Sequence, residues 1–161
     1  MIDELKNIEY VLFDLDGTVS DSSEGITKSA DKALKSEGID VPFETLTSFI
    51  GPALRVSFGR YTDDVEKRDR MLDVYRERYS EKGWCENKIY PGMAELLRDL
   101  QKSGKHVVLA SAKPEYFCRK IIKYFGVEQY FDFIGGSDME GKRDDKTVLL
   151  TYVLDNIGNP P

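Results

Sequence analysis

The stretch Val11-Leu12-Phe13-Asp14-Leu15-Asp16-Gly17-Thr18 decides how this chain is read. Tyr10 to Phe13 is a short run of large apolar and β-branched residues, the pattern of a strand buried on both faces, and a turn-forming Asp-Gly pair cuts it off. Asp14 and Asp16 stand two apart and point the same way if the strand continues. Two carboxylates held close together repel, so a cation or a shared proton must separate them. A hard cation such as Mg²⁺ meets that need with oxygen ligands. The plainer alternative is a solvated, aspartate-rich turn that caps the next helix. Strand, acid pair, glycine and hydroxyl arriving together favour chemistry over that alternative.

Outward from this stretch the hydrophobic period changes twice. Ser22 or Ser23 is expected to cap a helix whose apolar positions Ile26, Ala30, Ala33 and Leu34 recur at helical spacing, with Gly38 as its stop. Pro42 suits the first turn of a short helix through Leu46 and Phe49, which Gly51-Pro52 breaks. A longer helix is expected from about Asp63 to Ser80, with Val65, Leu72, Tyr75 and Tyr79 on a shared face. Residues 21–86 therefore read as all helix. From Pro91 the pattern alternates: a helix with Leu96, Leu97 and Leu100 that Gly104 ends, a strand over 106–110, a helix with Phe117, Ile121 and Phe125, a short strand from Phe131 to Ile134, and a last helix with Val148, Leu149, Tyr152, Val153 and Ile157. Alternation implies an α/β fold with a parallel sheet, and ligands of such sheets bind beyond the carboxyl ends of the strands. Asp14, Asp16 and Ser111 all fall there.

The 161 residues carry a net charge of −6 with interspersed signs, which gives no basic stripe for nucleic acid or anionic membranes. No apolar run approaches the length that spans a bilayer. Two cysteines, Cys85 and Cys118, are too few for a disulfide framework, and no apolar segment follows a basic start, so the chain reads as cytoplasmic. His106, the only histidine, argues against histidine relays or a multi-histidine zinc site and is given a structural role.

The first stretch resembles the leading signature of the haloacid dehalogenase superfamily of phosphotransferases, Asp-x-Asp-x-Thr after a strand. Val107-Val108-Leu109-Ala110-Ser111-Ala112-Lys113-Pro114 resembles the second signature, and Lys146 within Gly141-Lys142-Arg143-Asp144-Asp145-Lys146 the third. Order and spacing are similar to the branch with a helical cap inserted after the first signature. Ile50-Gly51-Pro52-Ala53-Leu54-Arg55 and Tyr90-Pro91-Gly92-Met93 resemble its phosphoglycolate phosphatase and 5'-nucleotidase-like members. The resemblance implies a Rossmann-like core over residues 1–20 and 87–161 and an all-α cap over 21–86.

It also implies a Mg²⁺-dependent phosphatase of small phosphorylated metabolites. Asp14 is then the nucleophile that forms an aspartyl-phosphate and a metal ligand; Asp16 is the general acid and base, its backbone carbonyl also on the metal. Gly17 lets the chain turn and brings N–H groups toward phosphate, and Thr18 either orients Asp16 or caps the turn. Ser111 can donate its hydroxyl to a phosphate oxygen beside a helix start. Lys146 takes a phosphate-binding role only through the resemblance. Arg55 is open between reaching the leaving group and lying on a helix surface; Lys113 and Arg143 are open between substrate binding and exposed surface roles. Tyr61, Tyr75, Tyr79 and Trp84 are open between a stacking wall and core packing.

The family's fourth signature, an acidic segment on a further strand that completes the metal site, does not occur in these 161 residues; Asp138, Asp144 and Asp145 stand in the wrong place in the order. The expectation is an incomplete copy of a longer enzyme, with its core short at the C-terminal side and its first strand left at a sheet edge. Two alternatives follow: a phosphomutase of the same superfamily, and a noncatalytic binding protein on a degraded fold.

Overall fold

The computed structural model describes residues 6–160. Strand β1 (Tyr10–Phe13) runs through the Asp14–Thr18 turn into the two-residue β2 (Ser20–Asp21). Helices α1 (Ser23–Ser36), α2 (Leu54–Gly59) and α3 (Val65–Arg78) follow, with a 3-10 segment at Phe43–Phe49 and a π-helical turn at Tyr79–Gly83. Then come β3 (Lys88–Ile89), α4 (Met93–Lys102), β4 (His106–Pro114), α5 (Glu115–Tyr124), β5 (Phe133–Ser137) and α6 (Lys146–Asn156).

The sheet has the order β1-β4-β5, and both pairings are parallel, as the alternating pattern requires. Tyr10 lies opposite His106 and Phe13 opposite Leu109, while Val108 lies opposite Phe133 and Ser111 opposite Gly136. β4 is the middle strand and is buried on both faces. Val107 and Leu109 pack with Leu97, Phe117 and Ile121, while Val108 turns the other way onto Leu149 and Val153 of α6. That two-sided burial is why its sequence is a continuous apolar run rather than an alternation.

β2 and β3 pair antiparallel, Ser20 opposite Ile89 and Asp21 opposite Lys88. They tie together the chain entering and the chain leaving the helical stretch. One apolar cluster continues from the sheet into that stretch through Leu15, Val19, Ile26, Leu72 and Tyr79. Each such side chain, fully buried, contributes about 1.5–3 kcal/mol. Among the described residues β1 pairs with β4 alone; Leu12 within it is 38 % exposed, and Ile8 just before it 41 %.

Several local expectations are corrected. Ser22 occupies the N-cap of α1, but its side chain makes no capping bond; the Asp21 carboxylate instead accepts from the Ser23 N–H at 3.0 Å. Helix α2 and the pair β2–β3 were not expected, being too short for any periodicity to show. The long helix starts at Val65, which is exposed rather than part of the buried stripe. The third sheet strand runs to Ser137 rather than ending at Ile134, because Gly135 and Gly136 hide it from a propensity reading. Gly136 is required there: a Cβ on it would stand 2.6 Å from the Lys113 carbonyl oxygen.

A second close approach sets the helical layer. A Cβ on Gly25 of α1 would fall 1.9 Å from the Gly83 carbonyl oxygen, so α1 and the π turn touch backbone to backbone. Gly25→Ala is expected to destabilise the protein by about 1–3 kcal/mol through overpacking, read as a lower midpoint in urea unfolding; an unchanged midpoint would refute the contact.

Candidate active site

The parallel register brings the carboxyl ends of three strands to one rim. From β1 come Asp14 and Asp16; from β4, Ser111 and Lys113; beyond β5, Asp138 and Asp144. Between Ser111 and Pro114 the β4–β5 register shifts: Ser111 faces Gly136, yet Pro114 already faces Ser137. An irregularity of this kind re-aims the side chains it contains. Lys113 is one of them.

Lys113 is buried, and its Nζ stands 3.1 Å from Asp16 Oδ2, both side chains being less than a tenth exposed. The same ammonium donates to the Tyr79 hydroxyl at 2.8 Å, so the rim of the sheet is joined to the π turn of the helical layer. Burial pulls the Lys113 pKa down, but Asp16, with Tyr79 and Tyr75 behind it, outweighs burial and holds it well above 10.5. The other carboxylate oxygen, Asp16 Oδ1, is buried with no hydrogen-bond partner. Asp16 and Lys113 line a cavity of about 40 Å³ between sheet and helices, room for about three waters. Its remaining polar walls are Arg55 and Arg76 from the helices and Asp138 and Asp144 from the loop after β5.

Asp14 lies beside this cavity rather than on its wall. Its Oδ1 accepts from the Leu15 N–H at 2.8 Å, and its Oδ2 stands 3.6 Å from Lys146 Nζ. Lys146 is 69 % exposed and lines a more open depression that shares Gly51, Pro52, Ala112 and Asp144 with the inner cavity. Arg55 reaches from α2 to Asp144 at 3.4 Å and to the Met139 carbonyl at 3.0 Å, bridging helical layer and loop.

Other expected residues are placed differently. Gly17, at φ +78°, makes the turn, but its N–H donates to the Ser20 carbonyl at 2.9 Å and the Thr18 N–H to Leu15, so neither is turned toward a ligand. Thr18 is exposed and makes no side-chain hydrogen bond to Asp16 among the described residues. Ser111 is buried, its hydroxyl accepting from the Lys113 N–H at 3.3 Å. Arg143 is turned onto the Tyr152 ring, 4.1 Å away, and donates to the Gly136 carbonyl. For Lys113 an exposed surface role is excluded by its burial. Of the aromatic residues, Tyr75 and Tyr79 are buried in the core and also meet the cavity, whereas Trp84 packs on Tyr124. His106 sits at the far end of β4, 2.9 Å from Asp132.

The sequence reading missed Arg76, and it set Asp138 and Asp144 aside as standing in the wrong place in the order. A signal for Arg76 was present: with Leu72, Tyr75 and Tyr79 it falls on the i, i+3, i+4, i+7 stripe that faces the core. For the two aspartates there was none, because only the loop after β5 brings them to the rim.

A hard cation wants about six oxygen ligands. Among the described residues no group of three or more His, Cys, Asp and Glu side chains is gathered for a metal ion. Asp16 has one carboxylate oxygen held by Lys113 and only Oδ1 open, and one Asp14 oxygen stands 3.6 Å from the Lys146 ammonium. The residues described here therefore do not by themselves fit a complete Mg²⁺ site.

Lys113→Met leaves the Asp16 charge buried and unpaired, and is expected to cost about 3–5 kcal/mol in denaturant unfolding; a change within 0.5 kcal/mol, roughly that of a surface substitution, would contradict the pairing. Burial also pushes the phenols of Tyr75 and Tyr79 above their ordinary value of 10. Below pH 10 both folded and unfolded chains hold those protons; above it the unfolded chain releases them and the folded chain does not, so stability falls as pH rises. Alkaline titration followed by tyrosinate absorbance should show the two ionising only as the structure is lost.

Comparison with known proteins agrees with this arrangement. Residues 11–158 match the family model described as haloacid dehalogenase-like hydrolase. A 5'-nucleotidase of Pseudomonas aeruginosa is 39 % identical over 150 residues, covering 92 % of this chain and 68 % of the relative. Tyrosine-protein kinase PtkA of Mycobacterium tuberculosis is 36 % identical over 147 residues, and there the chain spans only half of the relative's length. Among solved structures, a predicted phosphatase from Clostridium acetobutylicum superposes with a TM-score of 0.90 at 40 % identity, over 94 % of this chain and 71 % of that one. With the parallel β1-β4-β5 sheet and its aspartate rim, these matches show that the chain belongs to the haloacid dehalogenase-like hydrolase family and to its phosphatases.

Proposed function

We propose that the protein hydrolyses small phosphomonoesters, phosphoglycolate- or nucleotide-like, through a phosphoaspartate formed on Asp14. The observation that carries this reading is the division of the Asp16 carboxylate, with Oδ2 held by Lys113 and Oδ1 buried, unpartnered and beside the cavity. A group that must give a proton to a leaving oxygen and later take one from water needs one oxygen fixed and the other free. Asp14, steadied by the Leu15 N–H, attacks phosphorus as the ester P–O bond breaks; Asp16 enters this step carrying a proton on Oδ1, and the departing oxygen takes that proton, leaving the carboxylate paired with Lys113. Water then attacks the phosphoaspartate and gives a proton back to Asp16, which restores both acids and frees inorganic phosphate. Lys146, 3.6 Å from Asp14, supplies positive charge beside the transferring group, and the buried Ser111 hydroxyl and Gly17 turn belong to the same rim.

Residues 21–86 act as a cap over a core of 1–20 and 87–161, of which 1–5 and 161 lie outside the described residues. Pairing of β2 with β3 at the entry and exit of the helical stretch supports that division, and the small volume of the cavity supports substrates with short leaving groups. Mg²⁺ dependence belongs to the proposal through family membership and the Asp14–Asp16 pair; no step is assigned to the ion, since the described residues do not complete its ligand shell. A cytoplasmic setting is supported by the two unpaired cysteines. The likeness to PtkA favours a second reading, transfer of the phosphoryl group to a protein hydroxyl instead of water.

Release of inorganic phosphate from a panel of monoesters tests the first reading. Asp14→Asn should abolish it, and Asp16→Ala should lower it by about 10²- to 10⁴-fold with the fold intact. Chelation of divalent ions should stop it, and Mg²⁺ should restore it. Turnover that survives Asp14→Asn removes the nucleophile; phosphate passing to a hydroxyl acceptor with none released favours transfer.

A further inference from the structure

The buried pair of Asp16 and Lys113 has a third member whose hydroxyl faces the ion pair. Lys113 Nζ stands 3.1 Å from Asp16 Oδ2 and donates to the Tyr79 hydroxyl at 2.8 Å. The same nitrogen lies 4.5 Å from the centre of the Tyr79 ring. An ammonium on a flexible stem carries three donors and has no fixed direction of its own, so its other partners decide which carboxylate oxygen it serves. Tyr79 is fixed for that task on several sides. Its ring stacks on Tyr75 of α3 with centres 5.5 Å apart and meets Phe117 of α5 edge-on at 5.1 Å. A Cβ on Gly83 would stand 2.6 Å from Tyr79 Cδ2, so the ring is also pressed against the backbone that follows it. Tyr79 opens the π turn, and its carbonyl accepts from the Trp84 N–H at 3.0 Å, the i to i+5 spacing of a widened helix. Turns of that kind are rare, and they occur frequently at functional sites.

We propose that Tyr79 is a positioning residue for proton transfer: its hydroxyl anchors the Lys113 ammonium on Asp16 Oδ2 and so keeps Oδ1 clear for the leaving oxygen. The proposal rests on the phosphatase reading and adds a residue to it. An ammonium released from this anchor is drawn to both carboxylate oxygens, and Oδ1 then meets a cation where it has to meet the leaving group. The Tyr79 hydroxyl itself neither gives nor takes the transferred proton; it acts through Lys113.

Tyr79→Phe tests this, because it keeps the ring, its stacking and its contact with the ammonium and removes only the acceptor. Two compact esters of nearly equal size serve as substrates, ethyl phosphate and 2,2,2-trifluoroethyl phosphate, and the trifluoroethyl alkoxide departs with less need of a proton. The ratio kcat/KM reads the steps up to the phosphoaspartate. For ethyl phosphate the variant is expected to lower it by about 10-fold, roughly one hydrogen bond to a charged group, with KM changed by less than about twofold. For the trifluoroethyl ester the loss should be no more than about threefold. A residue that only packs the core would slow both esters alike or neither. Thermal unfolding of the variant reads the fold, and Tyr79 replaced by 4-fluorophenylalanine, which keeps the size and little of the acceptor strength, carries the comparison if the Phe variant does not fold. Equal losses on the two esters, or none, would overturn the role of Tyr79 and leave the phosphatase reading standing. No phosphate released from either ester by the unaltered chain would overturn both.

Discussion

The contact between Lys113 and Asp16 is the constraint on which the rest of this molecule turns. It joins the turn after β1 to the irregular end of β4, and through Tyr79 it reaches the helical layer. Taking two charges out of water is expensive, and the pair holds because each is near its opposite while Tyr79 receives a further ammonium proton. The pair fixes one carboxylate oxygen of Asp16 and leaves the other unpartnered beside the cavity. Helices α1 and α3 and the π turn can close over the sheet because the Gly25–Gly83 approach lets their backbones meet.

Closure produces a site in which charges are balanced almost completely by the protein itself. Lys113 answers Asp16, Arg55 answers Asp144, and the loop amides answer Asp138. Among side chains largely withdrawn from solvent, such charges act more strongly than they would in bulk water. Sheet rim and helical layer contribute different groups: the strand ends bring Asp14, Asp16 and Ser111 together, and the helices bring Arg55 and Arg76 to the cavity wall.

Much of this was legible in the chain itself. The apolar run ending in Asp14 and Asp16, the helical stripe of Ile26, Ala30, Ala33 and Leu34, and the alternation after Pro91 all describe residues whose environment is set within a few positions of sequence. Where two glycines replaced strand formers at Gly135 and Gly136, that local signal failed and β5 was placed two residues early. Lys113 stays open between substrate binding and an exposed surface role until its burial at the β4 register shift is known. Thr18, Gly17 and Arg143 are turned to local hydrogen bonds and a ring that spacing does not reveal.

Sequence alone determined the α/β class, the order of the longer helices and of the three sheet strands, and the acid pair at the end of the first strand, because periodicity and turn chemistry act over a handful of residues. Tertiary structure alone decided which cation meets which carboxylate. Lys113 and Asp16 are nearly a hundred residues apart, and Arg76 joins Arg55 at the Met139 carbonyl across more than sixty. Pairings of that kind depend on parallel register and on a helical layer closing over it, and no local pattern encodes either.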